Sequence, residues 1–193
     1  PTFCTGGTTS VTYTVSDLCN PSTVTKTFEV VAAPAVTVNT PDDASASACD
    51  FANQGEIDAA FNTWLAEFTV SGGCSATGDY GTPVAPTFCT GGTTSVTYTV
   101  SDLCNPSTVT KTFEVVAAPA VTVNTPDDAS ASACDFANQG EIDAAFNTWL
   151  AEFTVSGGCS ATGDYGTPVA PTFCTGGTTS VTYTVSDLCN PST

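Results

Sequence analysis

The chain has 193 residues and a net charge of −17, with 19 acidic side chains against 2 basic ones and no histidine. Such a field repels nucleic-acid phosphates and anionic membrane surfaces, and the missing histidine excludes serine–histidine and cysteine–histidine nucleophiles. Only 11% of residues are charged, so the polar surface falls to Thr, Ser, Asn and Gly, which is not the composition of a disordered chain.

Residues 1–85 and 86–170 are identical at every position, and 171–193 repeats the start of the same unit. Self-similarity at a fixed period governs the reading of every motif, because a feature of one copy is a feature of all. No run of about 18 apolar residues occurs, and neither an initiator Met nor a signal peptide opens the chain, which reads as an excerpt of something longer.

The first elements of the unit form a hairpin, read here in its second occurrence. Ser95-Val96-Thr97-Tyr98-Thr99-Val100-Ser101 alternates apolar and hydroxyl side chains, the mark of a half-buried strand. Asp102-Leu103-Cys104-Asn105-Pro106 turns the chain. The return strand, Thr108 to Val116, puts Val109, Phe113 and Val115 on one face, interrupted by Lys111, whose amine is expected to reach an edge or a carboxylate. After "VVAAPA" a third strand begins at Val36-Thr37-Val38, and the small residues of "PDDASASAC" continue along a sheet edge.

The period then changes. Ile57, Phe61, Trp64, Leu65 and Phe68 share one face of a helix, with Asn53 as N-cap and Glu56 as the capping-box acid. Packing in a core accounts for that aromatic stripe. "FTVSGGC" gives a short strand ending at Gly72-Gly73, and the turn-rich segment that follows has room for one or two more. Short alternating strands with one helical insertion predict a mainly β chain built as a two-sheet sandwich.

Each unit carries four cysteines, Cys4, Cys19, Cys49 and Cys74 in the first. An even number without histidine or a C-x-x-C spacing favours disulfides over zinc and implies an oxidising compartment. No metal and no cofactor is expected. Asp42 and Asp43 do not form a D-x-D-x-D-G loop and read as solvated turn residues rather than calcium ligands. No pair of carboxylates is specified in the two environments that acid–base catalysis needs, so the chain is not expected to be an enzyme.

The helix "EIDAAFNTWLAEF", the "SGGC" after it, the strand "CTGGTTSVTYTVSDLC" and the closing "TKTFEV" resemble the hyalin-repeat-like, immunoglobulin-like modules arrayed in giant surface adhesins of gliding bacteria. Where those modules often carry a further cysteine in the last strand, this sequence has Val109. The resemblance implies tandem immunoglobulin-like β-sandwich modules, each with one short helix and two disulfides. It places module junctions at "AAPA", so that 1–34 ends one module, 35–119 is complete and 120–193 is most of a third. Junctions at "TPVAP", with 1–85 complete, are the other frame.

In the first frame, a module running pole to pole predicts the pairs Cys49–Cys89 and Cys74–Cys104, then Cys134–Cys174 and Cys159–Cys189, with Cys4 and Cys19 unpaired. Cys89 and Cys104 are kept apart by the strand between them, about 25 Å against a limit of about 7 Å. Cys49–Cys74 is the rival pair. Identical copies are not tuned to separate partners, so what the array supplies is length. The expected role is a structural repeat segment of an extracellular, filamentous cell-surface protein or adhesin stalk, linked to gliding motility through the resemblance. Its partners would be neighbouring modules, other filament chains or surface glycans, with no nucleic acid and no direct membrane insertion. The alternative is a multivalent glycan- or ice-binding array on the threonine rows, Thr97 and Thr99 beside Thr108, Thr110 and Thr112.

Overall fold

A computed structural model describes residues 1–190; the last three residues of the 120–193 segment lie outside the described residues. The chain is mainly β, with strands in the order β1 (Gly7–Val15), β2 (Ser22–Val30), β3 (Val36–Asn39), β4 (Ala44–Ser47), helix α1 (Gln54–Leu65), β5 (Thr69–Gly72), β6 (Thr77–Asp79), β7 (Gly92–Ser101) and β8 (Ser107–Val116). The second half continues with β9 (Val121–Asn124), α2 (Gln139–Leu150), β10 (Thr154–Gly157), β11 (Thr162–Asp164) and β12 (Thr184–Ser186).

Up to residue 116 the expected elements are present where their periodicity placed them, and their pairing follows from it, whereas in the later copies the small-residue stretch forms no strand and the alternating strand is reduced to Thr184–Ser186. β1 and β2 pair antiparallel with Tyr13 opposite Val24 and Val11 opposite Lys26, so every apolar side chain of the hairpin falls on one face. On the other face Thr12 and Thr25 share a 2.9 Å hydroxyl contact, repeated by Thr97 and Thr110. A four-stranded sheet has the order β4-β8-β7-β6, and β3 pairs with β5 alone. The small-residue stretch does form the edge strand β4, kept short as exposed edges are.

The chain separates into two compact units interleaved in sequence. One comprises residues 1–44, 58–85 and 93–113, and its core is aromatic. Phe113 stands edge-on to Phe61 at 5.2 Å and to Trp64 at 5.6 Å, while Phe68 packs against Trp64 and Tyr98. The other comprises 45–57, 86–92 and the chain from 114 onward, with Ile57, Val115, Ile142, Leu150 and Val185 buried. There Trp149 packs edge-on to Phe153, and Phe153 on Tyr183.

Helix α2 starts at Asn138, whose Oδ1 accepts from Glu141 N, and α1 starts in the same way at Asn53 and Glu56. The acid does not close the box on the cap residue. Glu56 Oε2 accepts from Ala52 N at 2.7 Å, one residue further out. The reciprocal capping box belongs instead to the 3-10 turn Ala48–Asp50, between Ser47 and Asp50.

Identical sequence does not give identical burial. Val96, Tyr98 and Phe113 are 1%, 4% and 5% exposed, whereas Val11, Tyr13 and Phe28, the same residues of the first copy, are 65%, 69% and 67% exposed. The β1–β2 hairpin folds on its own register and leaves its apolar face open.

Candidate functional site: cross-links between successive copies

The chemistry that the chain carries is in its cysteines. Three disulfides are formed among the described residues, Cys4–Cys104, Cys49–Cys159 and Cys89–Cys189, with Cα separations of 5.5, 5.0 and 5.2 Å. Each joins two different copies of the repeat. Cys4 and Cys89 are the same position in successive copies, and each bonds a cysteine 100 residues downstream; Cys49 bonds one 110 residues downstream.

The expected pairs are corrected accordingly. Cys49 is bonded to Cys159 and not to Cys89, Cys104 to Cys4 and not to Cys74, and Cys189 to Cys89 and not to Cys159. Cys4, expected to be unpaired, is bonded, while Cys19, Cys74, Cys134 and Cys174 are free thiols. The rival Cys49–Cys74 bond is not formed either.

Local structure explains the change. Cys4 and Cys89 sit in tight "TFCTGG" turns with φ of 70° and 66°, a left-handed backbone that redirects the side chain from where an extended residue would hold it. Each turn is fixed to the segment that follows its own hairpin, since Ala33 N donates to Cys4 O and Ala118 N to Cys89 O. Gly91 must be glycine there, because with φ +65° a Cβ would meet Val115 O at 2.3 Å.

At the far end of the β7–β8 hairpin, Asp102 organises the partner side. Its Oδ2 accepts from Cys104 N at 3.0 Å and Asn105 N at 2.9 Å, and its Oδ1 from Cys74 N at 2.6 Å. The backbone N–H groups of Cys74 and Cys104 therefore share one carboxylate, but the expected bond between these two cysteines is not formed. They meet backbone to carboxylate, and the Cys104 sulfur is left to reach Cys4. Burial raises the Asp102 carboxyl, but the N–H donations of Cys104, Cys74 and Asn105 outweigh it and hold the group below its ordinary value. Asp187 repeats the pattern on Cys189 and Asn190. Gly73 completes the clamp: at φ +62° a Cβ there would stand 2.6 Å from Asp102 Oδ1.

The remaining candidates resolve into structural parts. Asp43 Oδ1 accepts from Thr112 N at 2.7 Å, which holds its carboxyl low with help from the charge of Lys111. The Asp42 carbonyl accepts from Trp64 Nε1 at 2.8 Å. Among the described residues no group of three or more histidine, cysteine or acidic side chains could hold a metal ion. Two shallow hollows flank the β7–β8 turn, and their linings hold no acid or base.

What sequence reasoning missed is which classes of cysteine pair and that each bond leaves the 35–119 frame, since the expected Cys49–Cys89 and Cys74–Cys104 also join successive copies but stay inside that frame. The signal was the repeat itself, which supplies two or three chemically identical choices for each class of cysteine. No family model, curated protein or solved structure matches the chain.

Proposed function

We propose that the chain is a structural repeat segment of a secreted, filamentous cell-surface protein, a stalk of tandem immunoglobulin-like sandwich modules of the gliding-adhesin type, and not an enzyme. The observation that carries the reading is that all three disulfides run from one copy of the repeat to the next. Each bond lies within one compact unit and draws that unit from two successive copies, so neighbouring copies of the repeat cannot separate without breaking sulfur bonds. Disulfides also mark an oxidising, extracytoplasmic environment, and no helix among the described residues is long and apolar enough to cross a membrane.

The module frame 35–119 has support of its own. Every strand within 36–116 pairs with another strand of that range, and β9 to β12 pair among themselves. Strand pairing thus stays within a frame that the disulfides leave. The function is tested by small-angle scattering on oxidised chains of increasing copy number. A stalk lengthens by a constant step of about 30 Å per copy, near the length of a ten-residue strand at about 3.3 Å per residue. A maximum dimension that grows only as the cube root of mass would contradict it.

A further inference from the structure

Tyr80 and Tyr98 face each other in a way that plain packing does not need. Strand β6 pairs with β7 through Asp79 opposite Thr99, and one step further along that register Tyr80 stands opposite Tyr98 on the same face. Their ring centroids are 6.2 Å apart and their planes are inclined by 38°, within the contact range of about 4.5–7 Å for aromatic pairs. Phe68 backs both rings, at 5.9 Å from Tyr80 and 5.3 Å from Tyr98. The later copy repeats the arrangement: Asp164 pairs with Thr184, and the rings of Tyr165 and Tyr183 are 6.1 Å apart at 34°.

Two residue choices set these rings apart from ordinary core. Tyr98 is 4% exposed, a position where phenylalanine would fill the same space without a hydroxyl to accommodate. That hydroxyl lies over Gly78, where any Cβ would overlap it, and Gly163 gives Tyr183 the same room. Glycine inside a strand weakens it, so the sequence gives up strand stability to keep a phenol there. Tyr80, by contrast, is half-buried in the segment after β6, beside Gly81 at φ +67°. One ring of the pair is thus shielded, and the other is within reach of solvent.

We propose that the two pairs are sites of dityrosine formation, a carbon–carbon bond made between Tyr80 and Tyr98, and between Tyr165 and Tyr183, by a haem peroxidase with hydrogen peroxide. Tyr80, the accessible ring, loses one electron and its phenolic proton to the peroxidase. Tyr98 then passes an electron and a proton to the Tyr80 radical across the ring contact, and a second oxidation of Tyr80 leaves both rings as radicals. The radicals join through ring carbons ortho to their oxygens. Each of those carbons releases its hydrogen as a proton and each oxygen regains one, which restores two phenols. The pair loses two hydrogens in all, and one hydrogen peroxide takes them up as two molecules of water. Unlike the disulfides, this bond is indifferent to reductant. It ties the segment after β6 to β7 whether or not the chain serves as a stalk.

The test treats the disulfide-bonded 193-residue chain, its free thiols alkylated, with a haem peroxidase and hydrogen peroxide, then isolates the monomer, reduces it and cuts it at lysine. Lys26 and Lys111 divide the chain into 1–26, 27–111 and 112–193, so each pair falls in a fragment of its own and Tyr13 in the third. Fragments 27–111 and 112–193 should each become lighter by two hydrogens and gain the blue fluorescence of dityrosine, with 1–26 unchanged. Tyr80→Phe keeps the ring and removes only the hydroxyl. It should lower the link in 27–111 at least tenfold and leave 112–193 linked, and Tyr165→Phe should do the converse. Fragments that keep their mass, fragments joined to one another in place of the internal link, or a Tyr80→Phe chain in which 27–111 is still linked would overturn the proposal.

Discussion

Pulling the oxidised chain from its two ends should load only a small part of it. Tension entering at residue 1 reaches Cys4, crosses to Cys104, runs backwards along β7 to Cys89, crosses to Cys189 and leaves at the other end. That path is about 22 peptide steps, which at about 3.3–3.6 Å each plus two bridges gives a limit of about 85 Å. The reduced chain should extend to about 650 Å on the same scale. Between bridges the load is carried by a strand, already near full extension, so little length can be released at any force short of breaking sulfur bonds. Optical-tweezer extension of the chain between terminal handles reads the limit directly. Cys104→Ser removes the first bridge and moves the shortest path through Cys49–Cys159, raising the limit to about 290 Å. Cys49→Ser leaves the path untouched and should leave the limit at about 85 Å. A Cys49→Ser chain that lengthens as much as Cys104→Ser, or an oxidised chain that extends beyond about 200 Å, would refute the bypass.

Phe113→Ala should cost about 3–5 kcal/mol in chemical denaturation, because it empties the contact with Phe61 and Trp64. The same change at Phe28, in the same sequence on an open face, should stay within about 0.5 kcal/mol in a monomeric sample. Asp102 and Asp187 are held below the ordinary carboxyl value of 3.8, so their contribution is fully present above that value and is lost as pH falls through the lower folded value. Thermal melts below about pH 4 should therefore show falling stability in the parent chain. The Asp102→Asn, Asp187→Asn double variant should be less stable at neutral pH and lose less on acidification. A surface that bound ice or glycans through its threonine rows would show it on a glycan panel or in ice affinity; the stalk reading expects neither.

Much of the fold is legible locally. The alternation in Ser95 to Ser101 fixes both a strand and its face, and the spacing from Ile57 fixes a helix whose stripe does become core, although the helix ends at Leu65 and Phe68 joins that core from just beyond it. These patterns are properties of a few consecutive residues. The disulfides are not, because each class of cysteine recurs with identical neighbours and the sequence has nothing that favours a mate in one copy over another. Distance from the strand rules excludes Cys89–Cys104 but leaves both same-copy and next-copy partners. Burial is illegible for the same reason: Val11 and Val96 differ only in what the rest of the chain places beside them. The capping acid shows a smaller limit, since Glu56 reaches Ala52 where the motif alone names the cap residue.

Replacing Cys19, Cys74, Cys134 and Cys174 with serine, all at once, tests whether the cross-links join different copies. The six cysteines left can pair between the classes joined here in two ways, one of which needs the Cys89–Cys104 bond that the strand between them forbids, and for Cys49 and Cys159 no same-copy partner of either class remains. Intact mass with thiol counting on the folded variant should show every thiol consumed, the mass lower than that of the reduced protein by two hydrogens for each of three bridges. Thiols that remain free at Cys49 and Cys159 would contradict the account and return those bridges to the interior of a single copy.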